Sequence, residues 1–273
     1  MKILHAGRHI LNFNRPLIMG VLNITPDSFS DGGRYASLNS AIAQAEAMLL
    51  AGADILDIGG ESTRPGATAV PADEECARVL PILKALSSHG VPLSLDTQKA
   101  AVMQRVLAET DLDLVNDISA LEDDSAMALI AQSSVGVCLM HKKGNPVTMQ
   151  TAPQYANVVT EVANYLNQRV TACLHAGIAQ HRLCVDVGFG FGKTLAHNLD
   201  LLRHLADICP EMPMLAGLSR KSMLGALCNE PEPSQRLGAS VAAALIAVQN
   251  GANIVRVHDV AATRQALQVW AAL

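Results

Sequence analysis

Three polar residues that end apolar runs carry the first chemistry in this sequence: Asp96 in Leu93-Ser-Leu-Asp96, Asn116 in Leu114-Val-Asn116 and Asp186 in Cys184-Val-Asp186. Two carboxylates and an amide in a dry mouth suit a flat heterocycle rich in N–H donors, because each oxygen accepts from a ring or amino hydrogen. Each residue alone is as well explained as the cap of the next helix or turn. Three in equivalent positions favour a ligand. Arg256-Val-His258 puts two donors on one side of a strand, since side chains alternate with a period of two, and reads as an anion clamp. Asn23 can supply an oxygen to a Mg2+ ion that also holds phosphate oxygens, magnesium being bound by few protein ligands and several waters. Lys221, in Ser219-Arg-Lys-Ser222, sits where a cation opposes a helix dipole unless something anionic is near, or else is a Schiff-base nucleophile of the aldolase kind. Gly188-Phe-Gly-Phe-Gly-Lys193 lacks the Walker A spacing and reads as a flexible wall against which Phe189 and Phe191 pack an aromatic ring.

Positioning these groups requires repeated strand ends. Apolar strand-like runs recur at 17–23, 54–58, 92–96, 114–118, 135–140, 183–187, 214–218 and 254–258. Between and after them, apolar residues at three- and four-residue spacing predict helices at 40–51, 73–87, 100–109, 124–131, 155–176, 198–207, 234–249 and 262–271. Eight strand–helix units, without a linker or a composition shift, predict one (β/α)8 TIM barrel over residues 1–273, with a doubly wound open sheet as the alternative. The strands are near-continuous apolar runs, as expected when helices cover one face and the packed barrel interior the other. Two connections are far more polar than a link requires: Asn23-Ile-Thr-Pro-Asp-Ser-Phe-Ser-Asp31 after the first strand, and Gly59-Gly-Glu-Ser-Thr-Arg-Pro-Gly66 after the second. They predict long mobile loops carrying function.

Composition excludes other classes. The formal net charge is −5 and no lysine or arginine run is present, so neither nucleic acid nor an anionic membrane is an expected partner. No segment reads as a signal peptide or a bilayer span, which predicts a cytoplasmic protein. The six cysteines lack the spacing of zinc sites and read as free thiols. Half the residues are hydrophobic but 3% are aromatic, so the core is built from Ala, Val, Ile and Leu, the fillers of barrel layers.

Five blocks in order, Met19 to Gly33, Asp57 to Gly66, Gly188 to Lys193, Gly217 to Ser222 and Arg256 to Asp259, closely resemble the bacterial dihydropteroate synthases. The resemblance implies a transferase of folate biosynthesis that joins p-aminobenzoate to 6-hydroxymethyl-7,8-dihydropterin diphosphate, a sulfonamide target in that family. It implies that Asp96, Asn116, Asp186, Met140 and Lys221 hold the pterin, that Asn23, Thr63, Arg64, Arg256 and His258 hold the diphosphate, and that Asn23 meets Mg2+. Phe29, Pro65, Phe191 and Ser219 then form the p-aminobenzoate pocket. Asp31, Arg64 and Lys221 act in catalysis: diphosphate leaves, a pterin-methyl cation forms, and the aniline nitrogen attacks it. A homodimer through the carboxy-terminal helices is also implied. One departure is Val187, where the family usually has proline.

Overall fold

A computed structural model of the chain describes residues 2–24, 33–62, 69–144 and 153–273, the side chains of 33–37 excepted. Its strands are β1 (Ile3–Ala6), β2 (His9–Asn12), β3 (Leu17–Asn23), β4 (Ile55–Gly59), β5 (Leu93–Asp96), β6 (Leu114–Asp117), β7 (Gly136–Met140), β8 (Leu183–Asp186), β9 (Met214–Ala216) and β10 (Ile254–Val257). From β3 onward each strand pairs in parallel with the next, and β10 pairs with β3, so the eight close into a barrel. None of the eight is an edge strand, so the open-sheet alternative is set aside. The helices are α1 (Gly33–Leu50), α2 (Ala72–Leu86), α3 (Ala100–Glu109), α4 (Asp124–Gln132), α5 (Val158–His175), α6 (Leu195–Arg203), α7 (Ser222–Cys228), α8 (Leu237–Gln249) and α9 (Val260–Ala271).

The strand period of two sorts side chains into two cores. Ile18, Leu56, Leu95, Val115, Val137, Val185 and Val255 face outward into the helix-covered core. Leu17, Met19, Ile55, Leu114, Cys138, Cys184, Leu215 and Ile254 fill the lower barrel interior. Two residues further along, on the same inward face, stand Asp57, Asn116, Met140, Asp186 and Arg256. The polar mouth and the apolar floor are thus successive layers of the same strands.

The amino-terminal hairpin has no counterpart in the sequence reading. β1 and β2 pair antiparallel, and Leu4 and Ala6 are buried in the lower interior with Leu11 and Phe13 packed alongside. The hairpin plugs the end of the barrel opposite the mouth. Gly7 has a φ of 53° and a Cβ there would lie 2.7 Å from the Asp113 backbone, so the turn needs glycine on both counts.

Several helices differ from expectation: α1 begins at Gly33 and not at 40, and α6 spans Leu195–Arg203 and not 198–207. α5 begins at Val158 because the Asn157 side chain accepts the Thr160 N–H at 2.9 Å. The run 234–249 divides into a short turn and α8 because Arg236 is not helical and turns its guanidinium onto the carbonyls of Arg220, Glu230 and Pro231. The seven-residue α7 is too short to show a helical period in sequence.

Candidate active site

At the carboxyl ends of the strands lies an opening of about 350 Å3 lined by Asn23, Asp96, Phe191, Ser219, Lys221, Arg256 and His258, together with Ser62, Arg220 and Arg236 among others. Strand register explains the gathering. Asn23 is level with Gly59, Gly59 with Asp96 and Asp96 with Asn116, so four strands put these residues in one row. Met140 is level with Asp186 on the far side. Asn116, Met140 and Asp186 are buried in this layer rather than on the wall of the opening. Phe29, Asp31, Thr63, Arg64 and Pro65 lie outside the described residues, as do residues 25–32 of the first long connection and 63–68 of the second.

One guanidinium organises the floor. Arg256 donates from Nε to Asp57 Oδ2 and from Nη2 to Asp96 Oδ2, both at 2.6 Å. Burial works against its charge, and Asp57 and Asp96 outweigh burial, so its pKa is raised further. Asp57, fully buried, also accepts the Ser94 hydroxyl at 2.6 Å and the Asn116 amide at 3.2 Å. Asp96 is less well served: its Oδ1 is buried with no partner among the described residues. Burial, against the pull of Arg256, lifts its pKa to about 7. Near neutrality its protonated and ionised forms are therefore both populated, and the unpartnered oxygen is open to a ligand hydrogen.

Lys221 is half-buried. Its ammonium donates to the Phe189 carbonyl and sits 4.9 Å from the centre of the Phe191 ring. Burial lowers its pKa to about 8, with Asp186 pulling the other way. Burial likewise raises the Asp186 pKa, opposed by Lys221, while Asp186 Oδ1 accepts the Gly188 N–H at 2.8 Å.

The glycine-rich segment is a wall, as its residues suggested: Phe189, Gly190 and Phe191 all border the opening, although Phe189 is fully buried and packs into the outer core. The segment is pinned by Lys193, whose buried ammonium reaches the carbonyls of Gly188 at 2.9 Å and Phe191 at 3.0 Å and His141 Nδ1 at 2.9 Å. Burial, with Lys193 adding to it, drives the His141 pKa down to about 3, so the ring is neutral. Lys193 cradles carbonyls, not phosphate.

Asp57 is the functional residue the sequence reading left without a role. Its signal was present: a carboxylate inside an otherwise apolar strand cannot stay buried without a charged partner. For a metal the mouth offers hard oxygen from Asn23. Among the described residues no group of three or more His, Cys, Asp or Glu side chains is disposed to hold an ion. A lone amide oxygen fits a hydrated Mg2+ that takes its remaining ligands from phosphate and water.

Residues 19–258 match the family model described as pterin binding enzyme. The dihydropteroate synthase of Neisseria meningitidis serogroup C is 52% identical over 272 residues, 98% of this chain and 96% of that protein. Among solved structures, dihydropteroate synthase of Burkholderia cenocepacia complexed with 7,8-dihydropteroate superposes with a TM-score of 0.91 at 50% identity, covering 99% of this chain and 96% of that one. The Xanthomonas albilineans dihydropteroate synthase with 4-aminobenzoic acid gives 0.92 at 47% identity, covering 99% and 97%.

Proposed function

This chain belongs to the pterin-binding enzymes and, within them, to the dihydropteroate synthases; from that premise we propose how its residues divide the work. The reaction is the condensation of 6-hydroxymethyl-7,8-dihydropterin diphosphate with p-aminobenzoate to give 7,8-dihydropteroate and diphosphate. The observation that supports the division best is that Asp96 and Lys221 line one opening, with the buried Asn116 level with Asp96 and the buried Asp186 charge interacting with Lys221.

Asp96, Asn116 and Asp186 accept the ring and amino hydrogens of the pterin, Lys221 donates to its acceptors, and Met140 packs on its face. The unpartnered Asp96 oxygen supports this, since a ligand hydrogen there relieves a buried lone pair. Arg256 commits Nε and Nη2 to carboxylates, which leaves Nη1 for the diphosphate alongside Asn23, His258, Thr63 and Arg64. Donors fixed at the leaving group favour its departure, because they cost no reorganisation when charge develops. Mg2+ held through Asn23 adds neutralisation of diphosphate charge when it is bound. Phe191 and Ser219, with Phe29 and Pro65, receive p-aminobenzoate; Asp31 stabilises the cation that its nitrogen attacks.

We place the enzyme in the cytoplasm as a homodimer. Six free thiols support a reducing compartment, and among the described residues no helix is long and apolar enough to cross a membrane. Exposed Leu227, Leu237, Ile246 and Val269 on α7, α8 and α9 support pairing through the carboxy-terminal helices. Light scattering of the purified protein checks this, and a monomer at micromolar concentration refutes it. For the reaction, diphosphate release is followed in a coupled assay with both substrates, and dihydropteroate is identified by mass. Release that does not depend on p-aminobenzoate would reduce the protein to a pterin diphosphate hydrolase.

A further inference from the structure

Ser219 and His258 are joined twice. The His258 main-chain N–H donates to Ser219 Oγ at 3.2 Å, and the same oxygen lies 3.0 Å from His258 Nδ1. The two residues follow adjacent strands, β9 and β10, and both line the opening. Ser219 is buried there. A hydroxyl has one proton to give and lone pairs with which to accept. With one lone pair taken by the main-chain N–H, giving the proton to Nδ1 turns both contacts into hydrogen bonds and leaves that nitrogen without hydrogen. The proton of the neutral imidazole then resides on Nε2, on the other side of the ring.

We infer that Ser219 is a positioning residue for His258: its hydroxyl selects the Nε2–H tautomer, so that the neutral ring offers the diphosphate a donor and not a lone pair. This rests on His258 contacting the diphosphate, and it gives Ser219 a second duty, separate from any contact with p-aminobenzoate. A phosphate oxygen has only lone pairs, so a neutral ring of the other tautomer would turn a lone pair toward it. In the opposite arrangement Nδ1–H would donate to Oγ, which would then accept twice and turn its proton elsewhere.

The full-length protein labelled with 15N-histidine and read by long-range 1H–15N correlation at pH 8 reports the tautomer directly, with His258 assigned by its loss in His258→Ala. The expected result is Nε2–H in the unaltered protein and a mixture of tautomers in Ser219→Ala. Calorimetric titration with inorganic pyrophosphate, in the absence of p-aminobenzoate, is the second readout. Ser219→Ala is expected to bind about tenfold more weakly, and Ser219→Thr, which keeps the hydroxyl, to bind as the unaltered protein does. An Nδ1–H signal in the unaltered protein overturns the inference, as does a Ser219→Ala protein with unchanged tautomer and affinity. If His258→Ala binds pyrophosphate undiminished, the diphosphate contact itself is what fails, and the spectrum still judges the tautomer.

Discussion

The two ends of the barrel use the same kinds of residue for opposite purposes. At the closed end, Asp113 is fully buried and accepts the Leu93 N–H at 3.0 Å, the Arg8 N–H at 3.2 Å and the Arg8 guanidinium. Asp54 likewise accepts the Ile18 N–H at 2.9 Å together with Arg15. These carboxylates are saturated by main-chain donors and neighbouring arginines, and they join the hairpin and strand starts to the barrel. At the open end, Asp57 and Asp96 share one guanidinium, and an Asp96 oxygen is left over. A satisfied carboxylate stabilises a fold, whereas an unsatisfied one awaits a ligand.

The largest expected effect breaks the closed end. Asp113→Ala orphans the buried Leu93 N–H, at roughly 1–3 kcal/mol, and also releases Arg8. Urea unfolding should show a loss of that order, while kcat per folded molecule stays as it was. A fall in kcat at unchanged stability would mean that the two ends are not separable. The converse experiment is Lys221→Ala at the mouth. Removing a fixed donor from a reacting site costs about 10²–10³ in kcat. Because burial disfavours the Lys221 ammonium, its removal should cost the fold little beyond the hydrogen bond to the Phe189 carbonyl. Loss of the folded baseline in circular dichroism would make Lys221 a structural residue.

These contrasts were partly legible in sequence. Each barrel strand announced itself as an apolar run with a polar end, and the mouth residues could be read because a strand end has one inward direction. The hairpin could not. His9-Ile-Leu-Asn12 is too short for a period to emerge, and its worth lies in Leu4 and Ala6 reaching strands far along the chain. Lys193 illustrates a different limit. Beside glycines a lysine suggests phosphate, and only the fold shows three of its acceptors to be Gly188, Phe191 and His141. Arg256 read as an anion clamp, but its pairing with Asp57 and Asp96 joins residues 199 and 160 positions apart, which no local pattern encodes.

A subtler effect follows from Asp96. Burial, opposed by Arg256, raises its folded pKa to about 7 from an ordinary 3.8. Between those values the folded protein keeps a proton that the unfolded chain has lost, so this group's contribution to stability declines as pH rises from about 4 to about 7. Asp96→Asn mimics the protonated form throughout. Its stability relative to the unaltered protein should therefore rise with pH across that window, measured by urea unfolding at pH 4.5 and 7.5. A difference that stays flat would show Asp96 to be as well satisfied as Asp113, and the comparison of the two ends would lose its electrostatic half.

The smallest effect concerns how the mouth is kept in shape. Val187 is fully buried between Asp186 and Gly188, and Gly188 has a φ of 68° in a place where a Cβ would strike the His141 carbonyl. The family's usual proline at 187 would restrict the unfolded chain and is worth about 0.4–1 kcal/mol where the native backbone accepts it. In this chain the loop is already fixed from within by Lys193, which binds the carbonyls on either side of the turn. Val187→Pro should therefore raise the denaturation midpoint slightly and leave the KM for p-aminobenzoate unchanged, although Phe191 forms part of that wall. A lowered KM would show that Lys193 alone leaves the loop too loose, and that the mouth, unlike the saturated closed end, depends on restrictions built into the chain.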